Sequence, residues 1–477
     1  MKLTDIVDAS RMALGGLADF ASNVTHPTVR LGVTGLSRAG KTVFITAFIH
    51  ALLSSSKLPL FEAKARGRIA RVYLEPQPDD DLPRFAYEDH MARLTGSDRD
   101  WPESTSRISQ IRLTIEYEPH GIIASNLHGG KLHIDIIDYP GEWLLDLALM
   151  SQSFQQWSAA TINASRLAPR QAQAGEWHAH LSTLDPNAVA NETDAVMAAT
   201  LFTNYLAGCR QDGIFMSTLP PGRFLRPGDL AGSPLLTFAP LDIAPEAVIT
   251  GGSLANLMQR RYDAYVKKVV KPFFYGHFAR LDRQIVLVDA LAALNAGASS
   301  VEDLRQALTG VLGCFRLGAN SLVSELFGKR VDRIFFAATK ADQLHHTSHD
   351  RLEDILRILI NEAAARAEHT GATCHVAAVA SVRATREATV TTKDGELPCI
   401  VGIPQAGESI AANTFDGIKE AAVFPGDLPS DPQRALSGGM EGAMHFVRFR
   451  PPLKSADALP HIRLDRALEF LLGDRFA

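Results

Sequence analysis

A glycine-rich pattern close to the start of the chain narrows the range of possible folds. Residues 35–42 read G-L-S-R-A-G-K-T, which fits the phosphate-loop pattern G-x-x-x-x-G-K-[ST] without deviation. A stretch rich in β-branched residues precedes it at 29–34, and a helical run follows at 43–49. Strand, loop and helix in this order predict an α/β fold, a P-loop NTPase core with a mainly parallel sheet. The structural alternative is a glycine turn that binds nothing.

The residue types in this loop suit the binding of nucleotide phosphates. Gly35 and Gly40 permit backbone angles that turn successive N–H groups toward phosphate oxygens. Lys41 is predicted to act on the β- and γ-phosphates in binding and catalysis, and the Thr42 hydroxyl is predicted to bind Mg²⁺. We expect the phosphates to contact Gly35, Ser37, Arg38, Ala39, Gly40, Lys41, Thr42 and Val43.

A second candidate ligand for the metal follows a β-rich run at 131–137. This run ends in Asp138, and Gly141 stands three residues later, which gives the D-x-x-G arrangement of GTPases. At the carboxyl end of a strand, Asp138 is expected to hold Mg²⁺ through water, and the Gly141 N–H is expected to turn toward the γ-phosphate. The alternative is a loop aspartate that caps the next helix.

The choice of base is suggested by residues 339–342, T-K-A-D, which follow a predicted strand at 331–338. Asp342 can accept two hydrogen bonds from the N1–H and the exocyclic amine of guanine, whereas adenine presents the wrong groups there. The aliphatic stem of Lys340 can cover the face of the base. This [NT]-K-x-D pattern predicts GTP and GDP as ligands, and a charged helix N-cap region is the alternative.

A further contact to the base is expected from the loop after a strand predicted at 373–379. Ser381 and Val382 occupy the place of the small-residue loop whose backbone contacts guanine O6. Val382 departs from the more common alanine, so this assignment depends on the order of the motifs along the chain.

Hydrolysis depends on groups that the motifs specify less clearly. Many GTPases have a glutamine after the D-x-x-G glycine to orient the attacking water, but Glu142 stands there in this chain. Glu142 is a candidate base, a poorer water-orienting group or a partner in a structural ion pair. The first switch should supply a threonine to Mg²⁺. Thr105 is preferred over Ser104 and Ser106, in a segment that immediately precedes the strand predicted at 108–117.

The chain of 477 residues is too long for one ordinary domain, and its motifs are spaced more widely than in a minimal GTPase. A β-like run at 284–289 resembles a core strand, so the segment before it is interpreted as an insertion. Helical periodicity is predicted at 149–166, 192–212 and 253–271, a hairpin at 389–403, a β-like run at 445–449 and a final helix at 464–472. The predicted units are an N-terminal amphipathic helix (1–27), a P-loop GTPase core (28–145 and 281–384), a helical insertion (146–280) and a β-rich C-terminal module (385–477).

Composition argues against several other classes of protein. The 48 basic and 53 acidic residues nearly balance, so no nucleic-acid partner is expected. The 4 cysteines lie far apart, which is neither zinc spacing nor a dense disulfide framework. No apolar run of about 18 residues is present, so no membrane-spanning helix is predicted. The N-terminal helix is expected to dock on its own protein, with a membrane surface as the alternative.

One segment is more specific than the general motifs. Residues 138–143 read D-Y-P-G-E-W, and together with the motif set and the long insertion they make the chain similar to the YcjX family of bacterial P-loop NTPases. The resemblance implies a GTPase linked to stress response, in the cytoplasm or peripheral to the inner face of the membrane. A membrane or membrane-protein partner is compatible with it. Carried over residue by residue, it assigns phosphate, metal and base contacts to Lys41, Thr42, Asp138, Lys340 and Asp342.

The sequence as a whole predicts a switch protein that binds GTP or GDP with Mg²⁺ and hydrolyses GTP slowly. Arg38 and Arg107 are candidates to supply charge to the transition state, and exposure to solvent is the alternative for both. Two other functions remain open. One is a guanine-nucleotide-binding scaffold that barely hydrolyses and acts at a membrane or through a partner. The other is an ATPase in which T-K-A-D is accidental.

Overall fold

A computed structural model describes most of the chain. The described residues are 27–36, 38–54, 56–105, 107–118, 130–211, 216–313, 331–392, 395–410, 413–440, 442–453 and 458–476. The helix predicted at 1–27 lies outside these residues except for Pro27, and so do the predicted or candidate site residues Ser37 and Ser106.

A seven-stranded sheet forms the centre of the protein, with the strand order β2-β3-β4-β1-β5-β6-β7. Strands β4, β1, β5, β6 and β7 are parallel, and β3 runs antiparallel to both β4 and β2. The mainly parallel sheet predicted from the sequence is therefore confirmed. The strands are β1 (Thr28–Gly35), β2 (Ile69–Leu74), β3 (Ser109–Tyr117), β4 (Lys131–Asp138), β5 (Arg283–Val288), β6 (Arg333–Ala338) and β7 (Thr373–Ala378).

Helices cover both faces of this sheet, as expected when parallel strands are joined by crossover connections. The α-helices are α1 (Lys41–Leu53), α2 (Glu62–Ala65), α3 (Tyr87–Thr95), α4 (Gly141–Leu145), α5 (Phe154–Ser165), α6 (Gly175–Leu181), α7 (Glu192–Gly208), α8 (Gly222–Leu225), α9 (Leu254–Tyr265), α10 (Lys271–Gly276), α11 (Ala290–Asn295), α12 (Ala298–Gly313), α13 (His349–His369), α14 (Pro432–Leu436) and α15 (Leu464–Leu472). Among the described residues, no helix has both the length and the apolar character needed to cross a membrane.

Alternation along the central strands divides the core into two layers. In β5, Ile285 and Leu287 pack with α1 and α15 on one face, while Val286 and Val288 pack with α12 and α13 on the other. All residues of β5 are buried, which explains why this strand lacks polar alternation in sequence.

The segment between β4 and β5 contains the predicted helical insertion, with its own core of aromatic rings. Trp157 stacks on Tyr262 with ring centroids 5.2 Å apart. The helices are shorter than predicted, and the ends have local causes. Ser153 and Gln156 form a capping box that starts α5, and a π-helical turn at Val266–Val270 separates α9 from α10. The division of the chain at residues 146–280 remains a prediction.

The C-terminal part is rich in short strands, as predicted, but its last helix belongs to the core. Its strands are β8 (Arg386–Thr392), β9 (Gly395–Gly402), β10 (Ser409–Ile410), β11 (Asn413–Thr414) and β12 (Ala421–Val423). The strand predicted at 445–449 is wrong, because only Phe449 forms a bridge there, to Pro404. Helix α15 has the predicted bounds and packs its leucines under the central sheet.

Candidate functional site

The loop between β1 and α1 has the compact backbone that a phosphate-binding loop requires. Arg38 and Gly40 adopt left-handed conformations, with φ of 66° and 81°, and the Ala39 N–H donates to Leu36 O at 3.2 Å. A side chain on Gly35 would meet the Lys41 Cγ at 3.0 Å, so glycine is favoured there by space. The Ala39 side chain is buried beneath the loop.

Three oxygen-bearing side chains from separate parts of the sequence meet beside this loop. The Thr42 hydroxyl lies 3.2 Å from the Thr105 hydroxyl and donates to Glu103 O at 3.3 Å. The Thr105 hydroxyl in turn donates to Asp138 Oδ2 at 2.5 Å. The structure therefore brings together the residues predicted as the loop ligand, the first-switch threonine and the D-x-x-G carboxylate.

The Asp138 carboxylate is buried and only partly satisfied. Its Oδ1 is buried and has no hydrogen-bond partner among the described residues. Burial raises the pKa of Asp138, and the nearby charge of Lys41 and the hydrogen bond from Thr105 act in the opposite direction. A buried carboxylate oxygen without a partner, next to two hydroxyl oxygens, is a set of ligands that suits a hard cation such as Mg²⁺.

The D-x-x-G segment is packed tightly against the phosphate loop. A Cβ on Gly141 would lie 1.9 Å from Gly35 O, so no other residue fits without moving one of the two loops. The preceding Tyr139 is fully buried, and its hydroxyl lies 2.8 Å from Thr34 Oγ1 and 3.2 Å from Gln284 Nε2. These contacts fix the end of β4 next to the loop.

Glu142 is held by arginines of the insertion. Its Oε1 lies 2.9 Å from Arg210 and 3.7 Å from Arg226, and its side chain is 8% exposed. Burial lowers the pKa of Arg210, and Glu142 opposes this shift. Of the three roles considered for Glu142, the structure contains the ion pair. Sequence reasoning missed its arginine partners, because no local pattern links the insertion to residue 142.

The insertion also holds the residues that follow Glu142. The Trp143 indole donates to Arg226 O at 2.9 Å, and the Arg223 guanidinium lies 3.2 Å from the centroid of the Trp143 ring. Within the insertion, the Tyr265 hydroxyl donates to Asp146 Oδ2 at 2.5 Å, and burial raises the pKa of Asp146 to about 7. Residues 142 and 143 are therefore in direct contact with the predicted insertion.

At the other end of the sheet edge, the T-K-A-D residues are fixed by partners within the chain. The Lys340 ammonium lies 2.5 Å from Asp289 Oδ2, and Lys340 has a left-handed φ of 61°. Asp342 Oδ2 accepts from the Ala384 N–H at 2.9 Å, and the Thr385 hydroxyl donates to Asp342 O at 2.5 Å. Burial raises the pKa of Asp342 to about 6.

The loop predicted to contact guanine O6 is anchored by the C-terminal part of the chain. Ala380 pairs with Ile462 through two backbone hydrogen bonds, and Val382 is buried in the core. Ser381 is half-buried at the same sheet edge. Its neighbour two residues on, Arg383, donates its backbone N–H to Pro460 O at 2.7 Å.

The remaining predicted residues lie around this site. Val43 packs against the core from α1, and the side chains of Arg38 and Arg107 are exposed. Sequence reasoning also missed Asp289 as a partner of Lys340. Its position at the carboxyl end of a core strand was a usable signal, because the carboxyl ends of parallel strands form the ligand-binding edge of such sheets.

Known proteins resemble this chain over nearly its whole length. The family model described as the YcjX-like family, DUF463, matches residues 29–476. A protein of Escherichia coli (strain K12) named Ras-like GTPase YcjX is 36% identical over 462 residues, which cover 94% of this chain and 96% of that protein. A protein of the same name from Shewanella oneidensis is 34% identical over 475 residues, which cover 94% of each chain.

Proposed function

The chain belongs to the YcjX-like family, and from this membership we propose that it binds GTP and GDP with Mg²⁺ and hydrolyses GTP slowly as a molecular switch. The observation that carries the proposal is the meeting of Thr42, Thr105 and Asp138 beside the phosphate loop. Relatives that bear the name Ras-like GTPase support the same reading.

In this proposal, the phosphate end of the site, formed by Lys41, Thr42, Thr105 and Asp138, binds the negatively charged phosphates of the nucleotide. Lys41 and the backbone N–H groups of the loop bind the phosphate oxygens, and α1 directs its positive end toward them. The hydroxyls of Thr42 and Thr105 and the carboxylate of Asp138 would hold Mg²⁺. When bound, Mg²⁺ supplies charge neutralisation to the phosphates. Because Asp138 Oδ1 is buried without a partner among the described residues, a cation there would also satisfy that atom.

The base end of the site, formed by Lys340, Asp342, Ser381 and Val382, is proposed to select guanine. Asp342 is proposed to accept hydrogen bonds from the guanine N1–H and amine, and the Lys340 stem is proposed to lie on the base. The 2.5 Å contact between Lys340 and Asp289 fixes the ammonium group, and this leaves the methylene chain with little freedom to lose on binding. Ser381, Val382 and Gly141 are proposed as backbone contacts, the first two to the base and the last to the γ-phosphate.

Slow hydrolysis is proposed because Glu142, the residue after D-x-x-G, is engaged in an ion pair. Phosphoryl transfer needs charge neutralisation and an oriented water. The Glu142 carboxylate is engaged by Arg210 at 2.9 Å, so it does not act as a free base in this arrangement. We therefore expect turnover on the order of one per minute or less, near the range of unassisted GTPases.

The insertion is proposed to sense the nucleotide state. Two contacts join it to the D-x-x-G segment: the ion pair of Glu142 with Arg210 and the hydrogen bond of Trp143 with Arg226. A ligand that draws Gly141 toward a γ-phosphate must either break these contacts or move the insertion together with the D-x-x-G segment. GTP and GDP should therefore favour different positions of the insertion.

The same ion pair favours a second candidate function, a guanine-nucleotide-binding scaffold that does not hydrolyse. A single-turnover assay with γ-labelled GTP and Mg²⁺ separates the two. Release of phosphate at a slow rate that is abolished by Lys41→Ala supports the switch. Tight binding of GTP without any release over hours supports the scaffold. Turnover at many per second contradicts the proposed slow switch.

The setting of this activity is proposed from the resemblance alone. We propose a stress-related role, in the cytoplasm or at the inner face of the membrane. Fractionation of cells before and after heat stress, with detection of the native chain, tests both parts. An amount of the chain that does not change under stress contradicts the stress-related role. Absence of the chain from both the cytoplasmic and the inner-membrane fraction contradicts the proposed location.

A further inference from the structure

A cleft outside the candidate nucleotide site contains an unusual concentration of positive charge. It has a volume of about 360 Å³ and is lined by arginines from three parts of the sequence. We call it the arginine cleft and define it by Arg99, Arg383, Arg386 and Arg450. The only acidic residue among the described lining residues is Glu420. Four arginines and one glutamate therefore line a space large enough for a small ligand.

The arginines are held in place by contacts that leave their charge incompletely balanced. Arg99 donates to Pro451 O at 2.6 Å, and Arg450 donates to Arg99 O at 3.3 Å and to Gly417 O at 3.2 Å. These partners are neutral carbonyl oxygens. They fix the directions of the guanidinium groups without cancelling their charge.

Three of the four arginines form ion pairs that are long or partly exposed. Arg383 lies 3.3 Å from Glu387, and the two side chains are 31% and 27% exposed. Arg386 pairs with Glu420 at 2.9 Å, but the two side chains are 62% and 56% exposed. Arg450 is 3.5 Å from Asp98, whose side chain is fully exposed. Such pairs contribute little and exchange readily for a better anionic partner. The neighbouring charge of Arg450 adds to burial in lowering the pKa of Arg99, as expected when like charges are brought together.

The wall on the nucleotide side is rigid. Ala384 and Thr385 line the cleft and also hold Asp342, through the hydrogen bonds of 2.9 and 2.5 Å described above. Arg383 adds a hydrogen bond from Nε to Thr385 O at 2.9 Å. A preformed wall lowers the entropy cost of binding a ligand.

We propose that the arginine cleft binds a ligand that carries phosphate groups. Arginine presents planar pairs of N–H donors that match phosphate oxygens, and several of them around one cleft favour a ligand with more than one negative charge. The phosphate can belong to a soluble molecule or to a lipid headgroup. The second source has a specific feature in its favour: Leu453, which lines the cleft, and Ile418, next to the Arg450 partner Gly417, are 70% and 74% exposed.

The test uses inorganic pyrophosphate, titrated by calorimetry without Mg²⁺. All proteins carry Lys41→Ala, so that the phosphate loop contributes little. Arg99→Gln with Arg386→Ala should weaken binding of pyrophosphate at least tenfold. Glutamine keeps a donor for Pro451 O, and Arg386 is exposed, so the fold should be retained. Arg305→Ala is the matched control, because it removes one exposed arginine from α12.

A single substitution, Arg386→Glu, provides an independent variant if the double variant unfolds. It should weaken pyrophosphate binding as well, because it reverses a charge on an exposed side chain. Binding in the cleft variants equal to that in the Lys41→Ala parent contradicts the proposal, and so does an equal loss in Arg305→Ala.

Co-sedimentation with vesicles distinguishes the two sources of phosphate. Retention by phosphatidylglycerol vesicles but not phosphatidylcholine vesicles, with loss in the cleft variants, supports a lipid headgroup. Pyrophosphate binding without vesicle retention supports a soluble ligand. Vesicle retention that survives the cleft substitutions, together with unchanged pyrophosphate binding, contradicts a phosphate site in the cleft.

Discussion

The two ends of the candidate nucleotide site differ in how their key carboxylates are satisfied. At the phosphate end, Asp138 has a buried Oδ1 without a hydrogen-bond partner among the described residues. At the base end, Asp342 already accepts a hydrogen bond from the Ala384 N–H, and Lys340 is paired with Asp289. Both aspartates are buried, and burial raises the pKa of each.

This difference suggests a division of labour between the ends. The base end is preorganised by contacts within the chain, so its contribution should be selectivity that changes little between nucleotide states. The phosphate end lacks contacts that a bound ligand would provide, and it is joined to the insertion through Glu142. We expect the phosphate end to supply affinity for the nucleotide and to transmit the nucleotide state to the insertion. Substitutions at the two ends should therefore differ in which nucleotides they affect.

The base end should lose its selectivity when its carboxylate becomes an amide. Asp342→Asn replaces a double acceptor with a group that presents a donor to the guanine amine. One hydrogen bond is lost and the other is no longer charge-assisted, together at about 3 kcal/mol, so affinity for GDP should fall on the order of 100-fold. Xanthosine diphosphate, which has an oxygen at that position, should then bind better than GDP in a competition assay.

The matched control for this change is Asp354→Asn, on the exposed side of α13, where the aspartate is 53% exposed and pairs with Arg357. It should leave both affinities unchanged. A folded Asp342→Asn protein that keeps its guanine preference would show that T-K-A-D does not read the base.

The phosphate end should lose affinity for every nucleotide alike. Lys41→Ala removes the charge directed at the β- and γ-phosphates, and affinity for GTP should fall at least tenfold, about 1.4 kcal/mol or more. Calorimetry with GTP measures this, with Lys131→Ala as a control because that lysine pairs with Glu116 at 40% exposure. If a folded Lys41→Ala protein binds GTP normally, residues 35–42 are not a phosphate loop.

Lowering the pH should reduce the preference of the base end for guanine over adenine. The carboxylate of Asp342 must be ionised to accept both hydrogen bonds, and its pKa is about 6 in the free protein. As pH falls below this value the neutral form dominates, and the ratio of GDP to ADP affinity should drop about tenfold between pH 7 and pH 5. Using the ratio cancels the ionisation of the phosphates. The drop should be absent in Asp342→Asn, and a ratio independent of pH in the wild type contradicts this role.

The smallest expected effect is on the rate of hydrolysis. Glu142→Gln removes the negative charge that engages Arg210 and leaves an amide able to orient water. Single-turnover hydrolysis should become severalfold faster. Glu302→Gln, on an exposed side chain of α12 that is 49% exposed, is the control. An inactive Glu142→Gln protein with normal GTP affinity would instead identify Glu142 as the base.

The sequence predicts the residues of the phosphate end more completely than the residues that surround them. Residues 35–42 are contiguous, and their chemistry depends on local backbone geometry, so the pattern alone predicts their structure. Thr105 was preferred from its position before a strand, and it lies 2.5 Å from Asp138. The arginines that engage Glu142 were not predictable, because a contact between a core loop and an insertion depends on tertiary packing that leaves no periodic signal.

The C-terminal part shows the same limit. The helix at 464–472 was predicted to its ends because its leucines recur at helical spacing. The run at 445–449 has the composition of a strand, but among the described residues only Phe449 forms a bridge, to Pro404. Pairing partners are set by the fold, and composition does not reveal them.

The affinity of the purified chain for GTP, GDP and ATP, each with and without Mg²⁺, decides whether it is a guanine-nucleotide switch. A guanine-nucleotide switch predicts that GTP and GDP bind much more tightly than ATP, and that Mg²⁺ strengthens the binding of GTP through Thr42, Thr105 and Asp138. ATP binding as tight as GTP binding, or GTP binding that does not depend on Mg²⁺, would contradict a Mg²⁺-dependent guanine-nucleotide switch.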